Sequence, residues 1–550
     1  LYRNIKNKTM GLKYLYAPSG VQAGKAYGVI PNSADADFSS FARSSAGSRV
    51  DENGFINTGL GLGSEEVTNG DFDTDSDWTK IDGATISGGE AHIVGDGSVF
   101  TNIRQNNVFT VGKAYEITID VTISSGLGLK FQDGASNENF GFATISGSYT
   151  FVSVANDSTL VIGRKTGGTA YDSSVDNVSV REITDVNTNV PRLDYTGGGC
   201  PSLLLEPSST NLIGYSEDFT QSSWTKENNP TIESNVEISP TGSLNGSYLK
   251  APFSATSTSP RIAYFFAATS GQTYTGSVFV KKDNIDYIRL LSTGATASTL
   301  QAYYNVSNGT LGSAGSPDKA KIEDYGNGWY RLSLIIDSVN STSSATFRVQ
   351  LAKGDNNPAS TFDGTEKNII FGGQLEQQAY ATSYIPTYGA ASTRSQDVGG
   401  STGDLSNVVN SQEGTFMFEG SFSEQNLKVS LNSSTTTFSN RMSIRTMSDT
   451  QFRIDYFAGG VGNQAFFNVS STKDNAKIAI KWISGSLVVY HNGTEVVDVT
   501  NIGDFSPNIL NRISLSAADN TSNKFKGRTK QFRVYDEYLS DAEMVKLTTL

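Results

Sequence analysis

Catalysis and metal binding draw on a short list of side chains, and in this sequence of 550 residues that list is thin. There is one cysteine, Cys200, and there are two histidines, His92 and His491. The set is too small for a cysteine and histidine metal cluster, and a lone cysteine excludes an internal disulfide. Cys200 stands beside Pro201 with no histidine near it in sequence, so it reads as a small buried hydrophobe and not as a nucleophile. His491, next to Asn492-Gly493, reads as an exposed strand-end residue. Carboxylates are abundant, 55 against 42 Lys and Arg, with the densest run at Asp71, Asp73, Asp75 and Asp77. Glycoside hydrolysis needs two carboxyl groups about 5–10 Å apart across a cleft. Among 55 acids such pairs are inevitable, so they decide nothing. A β-helix with short regular repeats, the kind of domain that carries depolymerases, is missing, and the chain is expected not to be an enzyme and to require no cofactor.

Aromatic faces are the usual platform for sugar rings. Trp78, Trp224 and Trp329 nevertheless read as core residues with their indole N–H groups paired, because an indole in a sandwich strand buries so much area. Tyr303 and Tyr304 are the candidates for an exposed platform. The formal net charge of −13 repels phosphate backbones and anionic headgroups, so neither nucleic acid nor a membrane surface is an expected partner. No apolar run approaches the ~20 residues that cross a bilayer, and residues 1–20 lack the apolar stretch of about 7–15 residues that marks a secretory signal.

The elements that must position these side chains are strands. With 55 Gly, 13 Pro and charged residues at 18%, the composition is that of many short strands joined by polar turns, and the length calls for three or four domains. The chain is organised around residues 188–224, TNVPRLDYTGGGCPSLLLEPSSTNLIGYSEDFTQSSW, where glycines, prolines and an apolar run fall together. Leu203, Leu204 and Leu205 read there as one short buried strand between turns. Residues 12–30 read as two short strands around Pro18-Ser19-Gly20. Asp71-Phe72 then Trp78-Thr79-Lys80 is echoed by Asp218-Phe219 then Trp224-Thr225-Lys226, so two segments read as variants of one architecture. Turns are expected at Asn53-Gly54, Asn327-Gly328 and, as type I′, at Asn492-Gly493, and a terminal helix capped by Ser540 with Glu543 three residues on.

Three resemblances follow from these phrases. VPRLDYTGGGCPSLLLEPSSTNLI, with DFSSFARSSAGSRVDENGFI at residues 37–56 and later DYGNGWYRLSLII, NIIFGGQLE and TSYIPT, resembles segments of tailed-bacteriophage virion proteins. There the first two pieces nearly adjoin; here residues 57–189 intervene and read as an insertion. The inserted module opens with VTNGDFDTDSDWTK, closes with SSVDNVSVREI, and resembles a jelly-roll carbohydrate-binding module, whose first and last strands lie side by side. In that family an acidic residue after the phenylalanine and another before the final strand hold a structural calcium, and Asp73 and Asp176 match them. Two readings stand for this pair: calcium ligands completed by backbone carbonyls, or caps of turns in a solvated acidic run. The ending YDEYLSDAE resembles the last elements of laminin-G-like or concanavalin-like domains.

The expectation is therefore an all-β chain of tandem jelly-roll or β-sandwich domains with a short C-terminal helix. Its parts are an anchoring segment (1–63), an inserted carbohydrate-binding-module-like jelly roll (64–184), a junction (185–210), a second jelly-roll sandwich (211–397), a linker (398–410) and a laminin-G or concanavalin-like sandwich (411–550). The resemblance implies a fibre or decoration on the capsid or tail of a virion, assembled in the host cytoplasm and exposed on the particle. Other virion proteins would be met through the N-terminal segment, host-surface glycans through the jelly rolls, and further copies in a homo-oligomer, a trimer by analogy with fibres. The alternative is a secreted bacterial carbohydrate-binding adhesin, which would need a leader.

Overall fold

The computed structural model describes residues 12–18, 21–22, 25–26, 38–39, 41–135, 139–165, 167–296, 298–433, 439–516 and 524–550. The fold is all-β, three sandwiches with one short C-terminal helix, Asp541–Thr548. In the first sandwich a sheet running Gly147–Val154, Ala114–Ser125, Tyr171–Asp185, Glu90–Gly95, Thr85–Ser87 faces one of five strands. Inward positions alternate along Ala114–Ser125, so Ile117, Ile119 and Val121 enter the core while Glu116, Thr118 and Asp120 face out. The first strand, Leu60–Glu65, pairs with the last, Tyr171–Asp185, and Val186 donates its N–H to Gly59 at 3.0 Å. Entry and exit therefore adjoin, which is the geometry of a domain inserted into a continuous host.

The second sandwich repeats the first in detail. Trp78 lies 5.3 Å from Phe72 and donates its indole N–H to the Asn69 carbonyl at 2.9 Å; Trp224 lies 5.1 Å from Phe219 and donates to the Tyr215 carbonyl at 2.9 Å. Thr110 donates its N–H to the Tyr115 hydroxyl at 2.8 Å, as Thr269 does to Tyr274 at 3.1 Å. Each closing strand carries a positive-φ residue, Asn177 (52°) or Gly372 (62°), and the next N–H leaves the ladder for the Gly70 or Ser216 carbonyl. The sequence echo thus marks a shared architecture, set by a Phe and Trp pair that closes the same corner of both cores.

The C-terminal sandwich recruits strands from the whole chain. Gly527–Tyr535 pairs on one side with Gly414–Phe422 and on the other, end to end, with Leu12–Tyr16 and Ser202–Leu205. Tyr14, Tyr16, Leu203 and Leu205 are buried in its core with Phe416, Phe418 and Phe532. The buried strand expected at Leu203–Leu205 is there, and so are two short strands before and after Pro18, Leu12–Tyr16 and Val21–Gln22. Leu12–Tyr16 does not fold back on Val21–Gln22; it takes the free edge beside Gly527–Tyr535, because two tyrosines are better buried in a ready core than in a two-stranded hairpin. The docking surface expected of residues 1–63 is correspondingly occupied within the chain at 12–16, whereas residues 1–11 and 27–37 lie outside the described residues.

The stretch read as a linker, 398–410, is built into the fold. Ser401–Thr402 joins the nine-stranded sheet beside Arg512–Ser514, and Leu405 and Val409 are buried in the same core. Its weak periodicity comes from a short strand followed by turns, a pattern that sequence spacing does not separate from a linker. At the C terminus, Glu543 accepts the Ser540 backbone N–H at 2.9 Å, and Met544 packs with Met417, Ala479 and Tyr490. The hairpin turn has φ of 46° at Asn492 and 84° at Gly493, as type I′ requires.

Candidate functional site

At the meeting point of the sandwiches lies a buried ionic core. Arg43 donates to Asp397 at 2.9 Å and to the Asn187 carbonyl at 2.6 Å. Arg192 is ion-paired with Asp397 and, at 2.7 Å, with Glu206, which also holds Arg394 at 2.6 Å. The Glu206 N–H donates to Asp397 at 2.8 Å, and Ser383 donates its N–H to Glu206 at 2.8 Å. Asp194 holds Arg528 of the last strand at 2.7 Å. Burial alone would raise the Glu206 carboxyl, yet the Arg394 and Arg192 guanidiniums and the Ser383 donors hold it far below the usual carboxylate range. Burial also opposes the charge on Arg192, and Asp397 with Glu206 overcomes it. The members come from residues 43, 187–206, 383–397 and 528, so one cluster ties residue 43, the junction and the second sandwich to the last strand.

Beside this core is a cleft of ≈ 380 Å³ between the second and C-terminal sandwiches. The junction supplies its floor through Asp194, the second sandwich supplies Glu323, Tyr325, Arg331 and Tyr380, and the last strand supplies Arg528. Arg331 is buried, donates to the Thr382 carbonyl at 2.6 Å and lies 5.2 Å from the Phe279 ring centroid. The volume falls in the range of about 300–1,000 Å³ usual for small-ligand sites, and planar charged groups beside tyrosine rings suit vicinal hydroxyls and the C–H faces of sugars.

The residues singled out in sequence are placed as follows. The three tryptophans are buried, and Trp329 donates to the Ile238 carbonyl at 3.1 Å. Tyr303 and Tyr304 are not an exposed platform, at 1% and 0% exposure. Tyr304 points into the core, and Tyr303, on the outer face, is covered by a polar layer that includes Arg289, 5.5 Å from its ring. Cys200 is exposed and not buried, because Gly197, Gly198 and Gly199 all have positive φ and carry the turn into solvent. His491 is half-buried, 5.6 Å from Phe467, and burial lowers its pKa. Asp73 is exposed, and Asp176 accepts the Asn177 N–H at 2.6 Å. The two segment ends adjoin where Val178 donates to the Gly70 carbonyl at 2.8 Å. Among the described residues no three His, Cys, Asp or Glu side chains gather to hold a metal ion, so a calcium at Asp73 and Asp176 would depend on backbone carbonyls.

A group that sequence reasoning missed is Glu217, buried against Tyr384 (3.0 Å) and Asn245 (2.9 Å). Burial pushes its carboxyl up to about 7, against the opposing pull of those two donors. With the folded value raised from 4.5, its contribution to stability is fully present below about pH 4.5 and is lost as pH rises through about 7. Glu217→Gln is expected to flatten that window and to stabilise the protein at pH 8 by about 2 kcal/mol, allowing for partial solvent contact. Urea unfolding of both proteins at pH 5 and pH 8 checks it; equal pH slopes would refute it.

No family model matches the chain, and no curated protein matches it. Among solved structures it is similar to the Ruminococcus gnavus IT-sialidase CBM40 bound to alpha2,3 sialyllactose, with 16% identity over 27% of this chain and 91% of that one and a TM-score of 0.24. It is also similar to domain 4 of a GH43 extracellular arabinanase from Geobacillus stearothermophilus in complex with arabinotriose, at 15% identity over 31% and 82% and a TM-score of 0.22. A third is a SAP-like pentraxin from Limulus polyphemus, at 13% identity over 25% and 70% and a TM-score of 0.20. These likenesses are local to less than a third of the chain, and no function is carried over from them.

Proposed function

We propose that this chain is a structural component of a tailed-bacteriophage virion, a fibre or decoration protein of capsid or tail, that also holds host-surface or environmental glycans. The observation that carries the structural role is the ionic core. The phrases that resemble virion proteins, at residues 37–56, 190–213 and 382–387, contribute Arg43, Arg192, Asp194, Glu206 and Ser383 to one buried cluster. Interlocked sandwiches of this kind suit a part that transmits load. Immunogold labelling of purified particles with antibody to residues 411–550 tests it: gold on heads or tails supports the reading, and gold on uninfected cells alone removes it.

The second reading is a secreted bacterial carbohydrate-binding adhesin, which the cleft favours. Both readings expect binding without turnover, so a reducing-sugar assay on host polysaccharide that showed hydrolysis would overturn them together. Tyr380→Ala, which removes an aromatic wall of the cleft, and Glu323→Gln, which keeps the shape but removes a carboxylate acceptor for sugar hydroxyls, are each expected to weaken retention on host polysaccharide by about tenfold; unchanged retention would move the glycan site elsewhere. Calcium at Asp73 and Asp176 belongs to the same proposal. Chelator is expected to lower the melting temperature of the inserted sandwich, and superimposable melting curves with and without chelator would remove the metal.

A further inference from the structure

The second sandwich leans on one sheet of the inserted sandwich, where Gly389 meets Val154, and so leaves clear the outer face of the other, five-stranded sheet. Across that face the register sets Phe142, Lys130, Gly163 and Asn102 in one row, and Gln132, Val161 and Arg104 in the next, because opposed residues of a pleated sheet share a side. Gly163 is the low point of the first row. A Cβ there would lie 2.7 Å from the Phe100 ring, so the ring rests against bare backbone. Lys130 Nζ is propped 4.5 Å from the Phe100 centroid, and Lys165 Nζ stands 5.0 Å from that of Phe142, which is 44% exposed. Arg104 is steered by a neutral group, donating from Nε and Nη2 to the Asn102 amide oxygen at 3.1 and 3.0 Å.

Charge singles this face out. Lys80, Lys113 and Arg181 of the same sandwich are each ion-paired, whereas Arg104, Lys130, Arg164 and Lys165 have no carboxylate within 4.0 Å among the described residues. Asp96, the acid that Arg164 senses, already accepts from the Ser98 N–H and hydroxyl at 2.8 and 2.6 Å. Lys130 meets the Arg164 charge in place of a carboxylate, and burial together with that like charge lowers its pKa. Beside them Gln132 is only 4% exposed, and its Oε1 has no donor. We propose that this face binds a carboxylate-bearing polysaccharide. A sugar ring lies on Phe142, its carboxylate goes to Lys130 with Lys165 and Arg104 flanking it, and Gln132 turns its unpaired oxygen to a hydroxyl. Four strands at ~4.8 Å spacing span about 14 Å, room for a short run of sugars. A nucleic acid would also suit rings and cations, but it brings a charge with every nucleotide, which the −13 of the chain repels beyond this face. An acidic polysaccharide spreads its charge more thinly, and within a Debye length of about 8 Å the local cations decide. The site lies on a different sandwich from the cleft and does not depend on it.

Affinity electrophoresis of the full chain through gels carrying polygalacturonate, alginate or hyaluronate, each read against a polymer-free gel, tests it. At least one polymer is expected to retard the protein, less so as salt rises from ~0.05 M to ~0.5 M, and its carboxyl-reduced form is expected not to. Lys130→Gln combined with Lys165→Gln, and separately Phe142→Ala, should weaken the retardation about tenfold with an unchanged melting temperature. Lys113→Gln, which removes a charge paired with Glu182 beside the opposite sheet, should leave it as it was. No retardation by any of the three polymers, equal retardation by the reduced form, or indifference to the paired lysine variant would each overturn the inference. So would an equal loss with Lys113→Gln, or tighter binding of a single-stranded oligothymidylate.

Discussion

Asp397→Ala is expected to destabilise the protein by about 3–5 kcal/mol, because it leaves buried Arg43 without a carboxylate and buried Arg192 with Glu206 alone. The Arg43, Arg192 and Asp397 side chains have no solvent exposure, so water cannot replace the lost partner. The Glu206 N–H loses its 2.8 Å acceptor in the same step. Asp397→Asn, which keeps an acceptor oxygen but not the charge, is expected to fall between the two proteins. The effect should spread beyond one domain, since the cluster ties residue 43, the junction, the second sandwich and the last strand. Calorimetry should show the second and C-terminal transitions moving together by roughly 10 °C, at 2–4 °C per kcal/mol for domains of this size. Transitions that stayed put, or only one that moved, would show that the ionic core does not clamp the sandwiches.

Tyr16→Ala is expected to cost about 3–5 kcal/mol, the usual penalty for emptying a large aromatic site in a core that relaxes only in part. Tyr16 is fully buried, and its ring centroid lies 6.0 Å from that of Phe532. Losing it also loosens the strand Leu12–Tyr16 and uncovers the edge of Gly527–Tyr535. Removing residues 1–18 altogether should have a similar or larger effect on the C-terminal transition and leave the inserted sandwich unchanged. If Tyr16→Ala left the C-terminal transition where it was, the N-terminal strand would be decoration on that sheet and not part of its core.

These two experiments probe the features that the sequence did not disclose. Arg43 and Asp397 are 354 positions apart, and neither carries a local pattern that names the other. Residues 12–16 have the alternation of a strand, but alternation does not say which edge a strand joins. The apparent linker at 398–410 was illegible for a related reason: only the finished C-terminal core gives Leu405 and Val409 something to be buried in. Tyr303 and Tyr304 show the limit within a single strand, since adjacent residues point to opposite faces and only the tertiary structure covers the outer one.

What the sequence by itself determined is local. The all-β class, the paired Phe and Trp that open two sandwiches, the Asn492-Gly493 turn and the Ser540 and Glu543 cap depend on steric and hydrogen-bonding preferences that act within about ten residues of chain. The tertiary structure alone decided which strands share a sheet, how the arginines and carboxylates of the ionic core chose one another, and where the cleft opened. Those choices follow from burial, because a charge removed from water has to find its partner wherever the chain brings one, and sequence distance places no limit on that search.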